Sequence, residues 1–262
     1  MLEDGAQKVS VIIPALNNFP AISRTLELVR AAFDPEYELE TILVVSDDVP
    51  GPVVSDGRVY AVERDARVVV KRLKSDKAVA VHWGISQATG DFIGFIDADA
   101  CWEAEAEHLR TAVAVLVEGK ADCVVAQRDQ QHWSGLRRAK TNLFAVIARH
   151  LFGLPLRDTQ APMKFMNRDS ADLVLSHCVW PGWAFDIDIL WVLKTASKSI
   201  RPLPVQWKSN GGEMGWVTIL LLFTMAPGML VRTFSLRLTA WRRKKAIKVD
   251  VRRRNVGVSS PA

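Results

Sequence analysis

Asp91-Phe92-Ile93-Gly94-Phe95-Ile96-Asp97-Ala98-Asp99 decides the fold class of this chain. An apolar, strand-like run ends on two acids separated by one small residue. Upstream, Val9 to Ile13 is a β-branched run stopped by Pro14, which reads as a buried strand. Pro20 to Ala32 has helical spacing in Ile22, Leu26 and Val29. Glu40 to Val45 is a second apolar run, closed by the loop signal Asp47-Asp48-Val49-Pro50-Gly51-Pro52. Arg67 to Lys71 reads as a short strand, and Asp76 to Thr89 as a helix ended at Gly90. Downstream, Glu103 to Glu118 is a helix ended by Gly119, and Cys123 to Ala126 is the next strand. This alternation predicts an α/β fold, with a mostly parallel central sheet and helices on both faces. Ligands of such sheets bind outside the carboxyl ends of the strands. The acids at 47–48 and 97–99 both fall at such ends, so they share one rim.

The second half is less regular. Leu136 to Phe152 reads as a basic amphipathic helix, and Asp158 to Met166 as a loop or short strand. Asp169 to His177 is a helix, and Phe185 to Ala196 an apolar helix carrying Asp186 and Asp188. Those two acids suit either a functional block or the polar edge of a core helix. Ser199 to Trp207 is extended and broken by proline.

With 262 residues, 49% hydrophobic and 24% charged, the chain is long enough and balanced enough to bury its own core. That composition excludes collagen, a disordered chain and a multi-pass membrane protein. Cys101, Cys123 and Cys178 are far apart and odd in number, so no disulfide framework or zinc spacing is expected. A reducing compartment follows, and Met1 to Gly5 carries no basic patch leading into an apolar run, so no secretory signal is expected. The five histidines form no ligand spacing.

Two carboxylates spaced like Asp97 and Asp99 can share a hard divalent cation, which prefers oxygen ligands. Mg²⁺ or Mn²⁺ held in this way also grips phosphate oxygens and neutralises a departing diphosphate. The same spacing also suits turn and cap residues ahead of the 103–118 helix.

Five blocks in order favour the first meaning. Val9-Ser10-Val11-Ile12-Ile13-Pro14-Ala15-Leu16-Asn17-Asn18 resembles the opening strand of family 2 glycosyltransferases. Lys77 to Gly84, followed by Ala88-Thr89-Gly90-Asp91, resembles their Lys-Gly and Ala-x-Gly-Asp block, and Phe95 to Asp99 their metal motif. Arg157 to Phe165 resembles the Asp-Thr-Gln-Cys-Gly-Phe-Lys block of the polyprenyl-phosphate branch, and Trp183 to Leu190 its Trp-x-Phe-Asp-x-Glu-x-Leu block. The similarity covers roughly residues 8 to 212 and is nearest to the dolichyl-phosphate glucose and mannose synthase group. Departures include Asn18, Asp76, Ala78, His82, Cys101, Ala161-Pro162-Met163 and Asn210, where the family has other residues.

The resemblance implies a GT-A fold over residues 1–212. It implies a nucleotide-sugar donor (UDP-glucose first, GDP-mannose second) and a polyprenyl or dolichyl phosphate acceptor, with Mg²⁺ or Mn²⁺. Carried over by position, Pro14, Leu16, Asn18, Asp47, Asp48, Lys77, Asp91, Asp97, Ala98 and Asp99 would bind the donor. Asp97 and Asp99 would hold the metal. Arg128, Arg137 and Arg138 would meet the acceptor phosphate. Asp99, Arg128, Arg138, Asp158, Gln160 and Lys164 would be the catalytic set. An acceptor phosphate is already an anionic nucleophile, so arginines matter more than a general base. Attack on the anomeric carbon would invert it. Two other readings stay open: the same fold with a soluble acceptor, or a degenerate, non-catalytic subunit that binds nucleotide or a partner.

The net charge of +5 hides an asymmetry. From Arg232 to Ala262 there are ten Lys/Arg and one acid, leaving 24 bases and 28 acids on the rest. Residues 213–262 therefore read as a membrane-associating segment. The uncharged stretch Met214 to Val231 contains Pro227-Gly228 and suits an interfacial or re-entrant anchor better than a simple span. The basic tail would sit on an anionic membrane surface at its cytoplasmic face, with no nucleic acid partner. A solvated end is the alternative for the tail.

Overall fold

The computed structural model describes residues 7–15, 19–33, 35–46, 67–71, 76–98, 105–129, 142, 145–146, 148–179, 182–205, 240 and 242–255. The elements, in chain order, are β1 (Lys8–Ala15), α1 (Phe19–Phe33), β2 (Glu38–Ser46), β3 (Arg67–Lys71), α2 (Lys77–Gln87), β4 (Phe92–Ile96), α3 (Ala106–Val117) and β5 (Cys123–Arg128). They continue with β6 (Met163–Asn167), α4 (Arg168–His177), a 3-10 turn at Gly182–Ala184, α5 (Phe185–Thr195) and β7 (Ile200–Val205). Residues 242–255 form a further helix, α6.

One seven-stranded sheet runs in the order β3-β2-β1-β4-β6-β5-β7. β1 pairs in parallel with β2 and β4, β2 with β3, and β5 with β7. Only β6 runs against its neighbours, β4 and β5, among the described strands. The mostly parallel sheet is as expected. Burial explains why β1 and β4 are legible: strands covered on both faces become continuous apolar runs. Val9, Val11, Ile12, Ile13, Ile93, Phe95 and Ile96 are all buried. α1 and α3 pack together on one side of the sheet; α2, α4 and α5 form a second, connected layer.

β6 is the element the sequence leaves undecided, as loop or short strand. It is an interior strand of five residues whose second, Lys164, is charged and fully buried. β7 holds the edge beside β5. Pro202 and Pro204 are tolerated there because an edge strand leaves one row of amides unpaired anyway.

Local signals close the helices. Asp76 caps α2 by accepting from the Ala78 amide at 2.8 Å, and it also accepts from the Gly182 amide at 3.1 Å. Glu105 and His108 form a capping box at the start of α3. Asn167 caps α4 through the Ser170 amide. At the amino end of the sheet, Asp122 accepts from the Ser199 amide and hydroxyl and from Asn167 Nδ2, and it pairs with Lys198. That joins the starts of β5 and β7 to the end of β6.

Part of the segment 213–262 packs on the body. Ala240 and Ile247 are buried in the same core as the sheet. The physical reason is a buried ion pair: Arg243 Nη2 lies 2.6 Å from Asp188, whose side chain has no exposure. The same nitrogen donates to the His177 carbonyl at 2.7 Å, and the guanidinium stacks 4.8 Å from the Trp191 ring. The stretch Met214 to Val231 lies outside the described residues. Among those described, no helix is long and apolar enough to cross a membrane.

Gly94 gives a test of the sheet. A Cβ there would lie 2.2 Å from Phe165 Cδ1, its cross-strand partner on β6. Gly94→Ala should destabilise the chain by about 1–3 kcal/mol through overpacking. Denaturant titration checks this, and an unchanged midpoint would mean β4 and β6 are not so closely packed.

Candidate active site

The carboxyl ends of β1, β2, β4, β5 and β7 and the amino end of β6 form one rim. Two backbone bonds join it: the Asp97 amide donates to the Pro162 carbonyl at 3.0 Å, and the Asp129 amide to the Val205 carbonyl at 3.1 Å. Thr25 of α1, fully buried, donates its hydroxyl to the Ala98 carbonyl at 2.8 Å. That bond fixes the turn that follows β4.

Three cation–carboxylate pairs stand along this rim. Lys77, the first residue of α2, lies 2.6 Å from Asp97. Arg128, the last residue of β5, makes a two-pronged contact with Asp158: Nε to Oδ2 at 2.6 Å and Nη2 to Oδ1 at 3.1 Å. Lys164 Nζ lies 2.6 Å from Asp186 and donates to the Ala161 carbonyl at 2.9 Å. Phe95 sits among them, with Lys164 5.3 Å and Lys77 5.7 Å from its ring centre. Gln127 completes the frame. Its amide nitrogen donates to the Asp158 carbonyl, and its oxygen accepts from the Arg157 and Asp158 amides. The 157–158 turn is thereby locked to β5.

The expected residues divide into three groups. Lys77, Asp97, Ala98, Arg128, Asp158 and Lys164 come together at the rim, with Pro14 near the end of β1 and Gln160 in the turn before β6. Leu16, Asn18, Asp47, Asp48, Asp99, Arg137 and Arg138 lie outside the described residues. Asp91 is not brought to the rim. It stands at the amino end of β4, where its carboxylate accepts from the Lys8 amide at 2.9 Å. Six residues of strand put it about 20 Å from Asp97, so it shapes the far end of the sheet and no donor pocket at the rim.

Two of the expected catalytic residues hold positions behind the surface. Asp158 is 1% exposed and Lys164 is 0% exposed. Neither lines an open face. Asp158 fixes the plane of the Arg128 guanidinium, and Lys164 ties Asp186 to the start of β6. Gln127 and Thr25 were not expected, and no motif in the sequence singles them out. Asp186 was visible as an acid on an apolar helix, but only the fold shows its partner.

The electrostatics favour ionised pairs. Burial pushes the Asp186 carboxyl up, yet Lys164, Lys77 and Arg128 together hold it below the ordinary carboxylate range. Burial pushes the Cys123 thiol up to about 12, which makes it inert as a nucleophile. Asp97 suits a hard cation: it is an oxygen donor at a strand end with a partly exposed side chain. Among the described residues, no three His, Cys, Asp or Glu stand together as a metal cluster.

Residues 10–193 match Glycosyl transferase family 2, and the chain belongs to that family. Its fold is GT-A-like. The dolichyl-phosphate beta-glucosyltransferase of Drosophila melanogaster is 26% identical, over 81% of this chain and 71% of its own length. The human protein of the same name is 21% identical, over 79% and 69%. Among solved structures, glucosyl-3-phosphoglycerate synthase from Mycobacterium tuberculosis, in complex with Mn²⁺, UDP-glucose and glycerol 3-phosphate, matches with a TM-score of 0.64 at 18% identity. That match covers 88% of this chain and 80% of the other.

Because the Asp186 carboxylate is held below its unfolded value, its stabilisation is complete above the unfolded value. It is lost as the pH falls through the folded value. Asp186→Asn should therefore flatten the acid limb of the melting curve below about pH 4. It should also cost about 3–5 kcal/mol at neutral pH, by leaving Lys164 buried without its counter-ion. Thermal melts from acid to neutral pH check both effects.

Proposed function

We propose that this chain transfers a hexosyl group, from UDP-glucose in the first instance, to a polyprenyl or dolichyl phosphate at a membrane surface. The observation that supports this most is the set of three ion pairs at the strand ends. A donor diphosphate and an acceptor phosphate are both anions, and they must be held together against their repulsion. Lys77 and Arg128 supply fixed positive charge at the rim, on α2 and β5.

Arg128 can serve this role because its guanidinium stands at the end of β5, bound by Asp158 through Nε and Nη2. The fork is held in one plane, so little motion is lost when an acceptor phosphate meets it. An ionised phosphate oxygen attacks the anomeric carbon from the side opposite the diphosphate, and the configuration inverts. No base is required. Positioning and charge stabilisation carry the rate. Asp158, Lys164 and Asp186 act behind this surface and keep its geometry. Asp97 and Asp99 would hold Mg²⁺ or Mn²⁺, which supplies positive charge to the leaving diphosphate.

The named relatives act, by their names, on dolichyl phosphate, and the structural neighbour binds UDP-glucose with Mn²⁺. Those facts support the donor and the acceptor class. The basic segment after residue 231 supports an anionic membrane surface as the place of action.

The test is a panel of radiolabelled UDP-glucose and GDP-mannose against undecaprenyl phosphate, dolichyl phosphate and the water-soluble glycerol 3-phosphate, with label counted in the organic and aqueous phases. UDP-glucose with Mg²⁺ or Mn²⁺ should give lipid-soluble product. Asp99→Ala should abolish it, and Arg128→Ala should lower turnover by about a hundredfold or more. Label appearing only in water-soluble phosphorylated acceptors would replace the lipid acceptor with a soluble one. Normal turnover in Asp99→Ala would refute the metal role.

A further inference from the structure

Helix α6 carries its charges on three sides. Arg243, Ile247, Val251 and Arg254 turn toward the body, all buried or half-buried. Lys244, Lys248 and Arg252 are exposed on the far side. Arg242, Lys245, Val249 and Arg253 form a third stripe, by helical spacing. This stripe faces Ser176 and His177, in the last turn of α4, across a groove of about 580 Å³.

The groove selects an anion. Its one acid, Asp250, already accepts from His177 at 2.9 Å and pairs with Arg254 at 3.3 Å. Arg242, Lys245 and Arg253 make no ion pair among the described residues. The occupant also has an apolar part, because Val249 is 42% exposed between these cations. Val179, two residues past His177, is 61% exposed. A nucleic acid backbone has no use for exposed valines. A phospholipid headgroup at a bilayer interface uses both the charge and the apolar contact.

The position of the groove adds a second argument. β6 runs away from the rim, so α4 returns to it, and His177 lies at the rim end of the body. α5 starts from that same end. Its first turn holds Asp186, on Lys164, and Asp188, on Arg243. The basic helix is therefore clamped two residues away from a carboxylate of the active-site frame.

We propose that the groove between α4 and α6 binds the phosphate headgroup of an anionic phospholipid. The clamped helix thereby turns the catalytic rim toward the bilayer. This rests on the reading of the chain as an enzyme of lipid-phosphate acceptors, and it adds the site and the orientation.

The test uses the full chain and vesicles of phosphatidylcholine, with or without phosphatidylglycerol. Two variants carry equal charge changes: Arg242→Glu/Lys245→Glu/Arg253→Glu in the groove, and Lys244→Glu/Lys248→Glu/Arg252→Glu on the far side. Thermal melts confirm that both are folded. The quantity read is the ratio of affinity for anionic over neutral vesicles. The wild type should show a clear preference for anionic vesicles. The groove variant should lose about tenfold or more of that ratio, and the far-side variant distinctly less. Equal losses would overturn the groove as a site and leave only diffuse charge. A wild type without preference for anionic vesicles, or one that binds a single-stranded oligonucleotide more tightly, would overturn the lipid assignment. Turnover on detergent-dispersed acceptor should be unchanged in the groove variant. Its absence in the wild type would count against the transferase reading, while the vesicle ratio still judges the groove.

Discussion

Lys164 carries a charge where there is no solvent, and the structure is organised around satisfying it. A buried ammonium without a counter-ion is among the costliest features a core can contain. Asp186 meets it from α5, and the Ala161 carbonyl meets it from the turn before β6. That contact ties a reversed strand in the middle of the sheet to a helix of the second layer. Arg128 with Asp158, and Lys77 with Asp97, repeat the arrangement nearer the surface. The charge density at the strand ends is thus a property of the fold.

Much of this was legible from the sequence, for identifiable reasons. β1 and β4 are buried on both faces, so their residues form unbroken apolar runs. The helices α2 and α3 have caps and stops within a few residues of where the pattern places them. β6 was only half legible, as loop or short strand, because Lys164 interrupts its apolar run and its partners are about 40 and 70 residues upstream. At the site, ordered blocks indicate Asp97, Asp158 and Lys164, and position after a strand indicates Arg128, but not which of them face solvent. Burial sorts them: Arg128 and Asp97 are partly exposed, while Asp158 and Lys164 stand behind. Asp91 misleads because it neighbours β4 in sequence yet belongs to the opposite end of that strand. Gln127 and Thr25 act through bonds to backbone carbonyls and leave no pattern to read.

The basic tail shows how one feature can serve two purposes. By composition its arginines look alike. In the fold, Arg243 is half-buried against Asp188 and Trp191, and Arg254 pairs with Asp169 and Asp250. These two attach the helix. Arg242, Lys244, Lys245, Lys248, Arg252 and Arg253 are exposed and give the attached helix its charged surface. The attachment point lies on the same first turn of α5 that holds Lys164, so the basic helix and the ion-pair frame of the rim share one element.

A crystal structure of the full chain with UDP and Mn²⁺ tests the central claim most directly. The account predicts the diphosphate at the carboxyl ends of β4 and β5, within contact of Lys77 and of a cation on Asp97. Nucleotide bound at the amino ends of the strands, near Asp91, or in the groove beside α6 with the rim empty, would contradict it.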